Sequence, residues 1–244
     1  MSDRDDADGA PSLRADTLAA LRAFLDERDL AEAAAAREAE DTSASLLTTE
    51  DWELSQFWYD EETSRFLAAE VSRCAVDARG ARRADSTEDV VVAFLSSPSA
   101  YKALRAAGVP VGVRAVLFEF DPRFNIFAPD FYQFDYKAPL ALPAELRHGV
   151  DVFLLDPPFL NAECLDGFAT AVRALSRGTD ARVLLASGAV MLSAARAALG
   201  LRPTRRAIAH ASGRLSNPFA LYTNYERDEL GGWDVEAEMA GARE

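Results

Sequence analysis

Val152-Phe153-Leu154-Leu155-Asp156-Pro157-Pro158-Phe159 is the stretch on which the reading of this chain turns. Four consecutive apolar residues without alternation suit a strand covered on both faces, as in a parallel sheet. Asp156 closes that strand, and the two prolines stiffen the turn and remove two backbone donors. Carbonyl oxygens are then left facing whatever lies beyond the strand end. Asp156 and the Pro157 carbonyl can accept the N–H groups of an amine and aim its lone pair at a methyl carbon, an orientation with large catalytic value. The ring of Phe159 can stack on a flat base or lie beside a cation. The competing account is a rigid strand-to-helix turn.

Working outward, the same period recurs. Val90-Val91-Val92-Ala93-Phe94-Leu95 is a second continuous apolar run, expected as a strand over 89–95. Ser96-Ser97-Pro98-Ser99 follows, with Ser97 before Pro98 as an expected N-cap, then a helix over 100–107 closed by Gly108. Further strands are expected at 115–120, 131–136 and 182–186. A pair near 206–209 and 219–225 is expected to form an antiparallel hairpin around Gly213 and Asn217-Pro218. Between them, Leu165, Phe168, Val172 and Leu175 mark one helix, and 190–199, closed by Gly200, another. A helix from Glu61 to about Ala78 carries Phe66, Leu67, Val71 and Ala75 on one face, with Thr63 as its start signal. Strands alternating with helices predict an α/β fold, Rossmann-like and doubly wound. It has a seven-stranded, mostly parallel sheet, a terminal antiparallel hairpin and helices on both faces. Residues 1–45 are expected to form an acidic start and an Ala-rich helix over 16–40, and residues 46–244 the main domain.

Composition narrows the function. The chain has 244 residues and a formal net charge of −14, which argues against a surface built for phosphate backbones. A basic protein partner would be steered toward it. Cys74 and Cys164 form no spaced pair, and His148 and His210 have no ligand pattern nearby, so no metal is expected. No run reaches the length of a membrane span, and the N-terminus lacks an apolar signal core, which predicts a soluble intracellular protein.

Doubly wound sheets bind ligands beyond the carboxyl ends of their strands. An acid after the second strand can hold both hydroxyls of a ribose; Glu119 and Asp121 compete, and Asp121 is favoured for lying beyond the strand proper. The first loop, Ser96, Ser97 and Pro98, lacks the glycines of a pyrophosphate-binding turn. It suits S-adenosylmethionine, which has no phosphate. Asp135 and Tyr136 are placed to meet an adenine ring, with core packing as the alternative. Phe57, Trp58 and Tyr59 are either a core plug or a lid over the cofactor.

Taken together, Leu54-Ser55-Gln56-Phe57-Trp58-Tyr59, Ser97-Pro98-Ser99-Ala100-Tyr101, the segment from Phe118 to Phe124, and Asp156-Pro157-Pro158-Phe159 through Leu165 resemble the elongation factor 1-alpha lysine methyltransferase 1 family. The resemblance covers about Leu46 to Tyr225. It implies S-adenosylmethionine as methyl donor, a lysine of eukaryotic elongation factor 1-alpha as acceptor, and a cytoplasmic enzyme, expected as a monomer. It makes Asp156, Pro157, Pro158 and Phe159 the catalytic motif. Phe57, Trp58, Tyr59, Ser96, Ser97, Pro98, Glu119, Asp121, Asp135 and Tyr136 are the cofactor-binding candidates. Relatives usually end the motif in tyrosine, so Phe159 is a departure that loses a hydroxyl and keeps the ring. Methylation of adenine in nucleic acid, with Phe159 against an extruded base, and a methyltransferase-like module without catalysis are the two alternatives.

Overall fold

Burial on both faces explains why the central strands carry unbroken apolar runs. The computed structural model describes residues 58–82, 87–211 and 218–241. Phe57, the helix expected over 16–40 and the turn expected around Gly213 lie outside them. The chain runs α1 (Glu61–Ala81), β1 (Val90–Leu95), α2 (Pro98–Ala107), β2 (Val113–Glu119), β3 (Phe131–Gln133), β4 (Val152–Leu155), α3 (Ala162–Leu175), β5 (Arg182–Gly188), α4 (Leu192–Leu199), β6 (Arg202–Pro203), β7 (Phe219–Thr223) and α5 (Val235–Gly241), with short 3₁₀ turns between. The strands form one seven-stranded sheet in the order β3-β2-β1-β4-β5-β7-β6. β3, β2, β1, β4 and β5 are parallel; β7 is antiparallel to both neighbours.

Alternate residues of each strand serve opposite layers. Val91, Ala93 and Leu95 join the core with Leu165, Phe168, Val172 and Leu175 of α3. Phe94 points the other way, with its ring centroid 5.4 Å from that of Tyr101 on α2. The expected α/β class, mostly parallel sheet and flanking helices are therefore present, and the apolar face read for α3 is buried as expected.

Three expectations are corrected. The segment near 206–209 is not a strand: β6 is the short edge pair Arg202–Pro203, and Thr204 donates to the Leu221 carbonyl at 2.8 Å before the chain leaves the sheet. Proline at an edge strand is compatible with that position and limits its pairing. Residues 209–211 pair instead with the segment that precedes α1. Thr63 is not the start signal of α1; Asp60 is the N-cap, its carboxylate accepting the Thr63 N–H at 2.7 Å. Ser97 stands at the N-cap position of α2 but makes no side-chain cap. Its hydroxyl lies 3.4 and 3.5 Å from the carbonyl oxygens of Leu95 and Leu154.

One contact fixes the loop after β3 against α3. A Cβ at Gly167 would stand 2.3 Å from the Tyr136 carbonyl oxygen. Glycine in a helix interior costs up to about 1 kcal/mol relative to alanine, so a replacement would be favourable if space allowed. Here backbone would have to move, which costs about 1–3 kcal/mol. Gly167→Ala should therefore lower the melting temperature rather than raise it, as thermal unfolding followed by circular dichroism would read; a rise would show that the loop yields freely.

Candidate active site

Two hydrogen bonds set the floor of the site. The Phe118 carbonyl accepts the Ser96 N–H at 2.7 Å, and the Leu95 carbonyl accepts the Asp156 N–H at 3.0 Å. The ends of β2, β1 and β4 are thus held side by side, and the residues following them emerge together. Ser96 takes a left-handed conformation, φ 53°, which is uncommon outside glycine. It turns the chain from β1 into α2 where a dinucleotide fold would place a glycine.

Glu119, the last residue of β2, is buried, and one oxygen accepts the N–H groups of Phe120 and Asp121 at 2.9 and 3.3 Å. Burial pushes its carboxyl up to about 7, against the opposing pull of those two N–H groups. Asp121 has a different task. It caps the 3₁₀ turn Pro122–Phe127 by accepting the Arg123 N–H at 2.9 Å, and its carboxylate pairs with the Arg123 guanidinium. The geometry therefore favours Glu119 over Asp121 as the ribose acid, the reverse of the preference drawn from the strand boundary. Between them, the ring of Phe120 is 50% exposed at the strand end. It is well placed to lie against a flat ring held by Glu119, and an aromatic directly after a strand-closing acid was the signal available for it.

Asp135 accepts the Lys137 N–H at 2.9 Å in a tight turn. The Tyr136 ring meets the ring of Phe159 edge-on at 5.9 Å. Pro157 is buried, Pro158 half-buried, and Phe159 is 42% exposed, so the aromatic end of the motif faces outward. Asp156 keeps partial exposure, yet its carboxyl is set deeply enough that desolvation, opposed by a hydrogen bond from the Tyr59 hydroxyl and assisted by the nearby charge of Glu119, pushes it up to about 8. Among the described residues no ion pair holds Glu119 or Asp156.

Trp58 and Tyr59 reach the site from the chain before α1. Asp60 donates to the Ala209 carbonyl at 3.0 Å, Ala211 donates to the Trp58 carbonyl at 2.8 Å, and Tyr59 bridges to His210. The ring of Trp58 lies 6.3 Å from Phe124 and 5.9 Å from the Lys102 ammonium. Tyr59 is buried beside Asp156; burial first and the Asp156 charge second raise its phenol well above its ordinary value. The structure thus brings Tyr59, Glu119 and Asp156 together, and Tyr136 with Phe159. It turns Asp121 toward Arg123.

This set fits S-adenosylmethionine. That molecule carries a sulfonium and an ammonium, and the site offers two desolvated acids that no cation pairs with among the described residues. Glu119 and Phe120 would hold its nucleoside, and the Ser96–Pro98 turn would border its amino acid end.

The raised carboxyls make a stability prediction. In the unfolded chain these groups titrate near ~4; in the folded protein they keep their protons up to about 7 and about 8. The contribution is fully favourable below pH ~4 and is lost as pH rises through the folded values. Glu119→Gln and Asp156→Asn should each raise the melting temperature at pH 8.5 by about 3 °C or more, and by much less near pH 4. Calorimetry across that range measures it; a pH-independent difference would mean that the acids are not desolvated.

Comparison with known proteins agrees with this geometry. A family model described as "Probable N6-adenine methyltransferase" matches residues 50–227. A protein-lysine N-methyltransferase of Caenorhabditis elegans is 39% identical over 232 residues, covering 93% of this chain and 98% of that protein. EEF1A lysine methyltransferase 1 of Mus musculus is 35% identical, covering 97% of this chain and 100% of its own length, and the Homo sapiens protein is 35% identical over 93% and 97%. Among solved structures, the branched-chain polyamine synthase of Thermus thermophilus superposes with a TM-score of 0.53 at 16% identity, over 77% of this chain and 62% of that one, a likeness of fold. The chain belongs to the EEF1A lysine methyltransferase 1 family of S-adenosylmethionine-dependent protein-lysine N-methyltransferases.

Proposed function

We propose that this enzyme methylates a lysine of elongation factor 1-alpha, acting as a monomer in the cytoplasm and not on nucleic acid. The observation that carries the substrate is end-to-end similarity, at about 35% identity, to relatives whose names specify EEF1A. The net charge of −14 supports a basic protein partner over a phosphate backbone.

S-adenosylmethionine, when bound, supplies an electrophilic methyl group on a positively charged sulfur. The protein's part is to bind and to orient. Glu119, as a carboxylate, would accept the ribose hydroxyls, and Phe120 would cover the base. Asp156 and the Pro157 carbonyl accept the target N–H groups and direct the nitrogen lone pair. Phe159 and Tyr136 present aromatic surface beside the entering alkyl chain. A free lysine titrates near ~10.4 and must lose a proton to attack. Asp156 favours the ammonium, whereas burial and the sulfonium favour the amine. Asp156 therefore orients, and solvent takes the proton.

Incubation with methyl-labelled donor and elongation factor 1-alpha should label lysine, located by peptide mass spectrometry; an unlabelled factor beside an active control enzyme would remove this reading. An adenine-containing oligonucleotide should stay unlabelled, and label there instead would assign the site to the exocyclic amine of adenine. Asp156→Ala should lower kcat by about 100-fold or more through lost orientation, without unfolding. Glu119→Gln should weaken donor binding by about tenfold, read by calorimetry. Turnover should rise from pH 6 toward pH 9, because Asp156 ionises near 8 and the lysine releases its proton in the same direction.

A further inference from the structure

Tyr59 is 4% exposed, and its hydroxyl donates a hydrogen bond to the Asp156 carboxylate. Packing alone does not explain that hydroxyl: a phenyl ring would fill the same space without carrying a polar group into the interior. The segment that bears it is fixed from both sides. Its backbone bridges to His210, its ring lies 4.6 Å from the imidazole, and the bonds from Asp60 to Ala209 and from Ala211 to Trp58 hold the neighbouring residues. Ala209, in turn, donates to the Thr63 hydroxyl at 3.1 Å, tying the same staple to the first turn of α1. Asp156 is held at its backbone through the Leu95 carbonyl, but its side chain still has rotamers to choose from. Of the titratable groups that act on it, Glu119 at the end of β2 repels its charge and Tyr59 offers it a donor. The phenol keeps its proton while Asp156 titrates, because burial first and the Asp156 charge second raise it.

We propose that Tyr59 is a positioning residue: its hydroxyl holds one Asp156 oxygen, so that the other oxygen, with the Pro157 carbonyl, meets the two N–H groups of the target amine. This rests on the lysine-methyltransferase reading and moves Tyr59 from the cofactor to the acid that orients the amine. A neutral primary amine has two N–H groups and one lone pair. Two acceptors therefore fix its orientation and leave the lone pair for the methyl carbon. The Tyr59 bond also favours the form of Asp156 that can accept. A protonated carboxyl carries a donor where the amine needs an acceptor, and a hydrogen bond to the ionised form opposes protonation. Without the Tyr59 hydroxyl, Asp156 would turn more freely and keep its proton to higher pH.

The test places Tyr59→Phe in the full-length enzyme, which keeps the ring and removes the donor. Aspartate labelled with carbon-13 at the γ-carbon is followed by NMR across the pH range, and the Asp156 signal is the one lost in Asp156→Asn. In the wild type it should titrate at about 8, and in Tyr59→Phe about one unit higher. Turnover of elongation factor 1-alpha should fall by about tenfold near neutral pH, and its rise with pH should be displaced in the same direction. S-adenosylhomocysteine affinity, read by calorimetry, should stay unchanged. An unmoved Asp156 titration overturns the proposal even where kcat falls, since a structural role would lower the rate without moving it. Loss of S-adenosylhomocysteine binding in the variant also overturns it and returns Tyr59 to the cofactor. Should Tyr59→Phe fail to fold, fluorotyrosine at position 59, nearly isosteric and a stronger donor, decides. The Asp156 titration should then move to lower pH, and no movement overturns the proposal. The titration needs no acceptor protein, so an unlabelled elongation factor and a failed Tyr59 bond are read separately.

Discussion

The bond from the Asp156 N–H to the Leu95 carbonyl, 3.0 Å long, is the constraint on which the site depends. It extends the parallel β1–β4 pairing by one residue past the strand end. Beside it, the Ser96 N–H reaches back to Phe118. Together they bring the residues after three strands into one small volume, which is how a parallel sheet gathers polar groups that are distant in sequence. Without that register, Glu119 and Asp156 would not sense each other's charge.

The two acids of β4 show how one short element handles charge in two ways. Asp151, before the strand, accepts the Val91 N–H at 2.9 Å and pairs with Arg82 at 2.7 Å and Arg177 at 3.0 Å. Asp156, after the strand, has no such cation and is pushed up to about 8. The first arrangement ties the amino ends of the strands together. The second leaves attraction for a positive ligand unspent, at a cost in stability that binding offsets.

Much of this was readable in the residues. The runs 90–95 and 152–155 are strands at nearly those bounds, because complete burial on both faces demands unbroken apolar sequence. Asp156 was conspicuous because an acid and two prolines follow such a run. The strand boundary pointed to Asp121 over Glu119 for the ribose, whereas local chemistry occupies Asp121 with Arg123. Asp121 precedes Pro122 and Arg123, and an acid before a proline is a capping signal. The misplaced strand near 206–209 has a different origin. Its backbone partners, Trp58 and Asp60, lie at the other end of the chain, and no local pattern announces them. Nor does local sequence announce α5, which is anchored by Arg202 to Glu238 at 2.6 Å and by the Arg202 guanidinium over Trp233 at 3.6 Å.

The staple between Tyr59 and His210 also bears on how the enzyme comes into being. Strands β1, β2, β4 and β5 can pair from neighbouring stretches of chain, whereas this bridge must close a loop spanning most of the described fold. Contacts of such long separation carry a large closure entropy and form late. A ribosome would have released nearly all of the catalytic sheet before Tyr59 could settle over Asp156. The nascent protein would therefore hold the paired parallel strands with an open active site, and become competent for chemistry only once His210 has emerged to close the bridge.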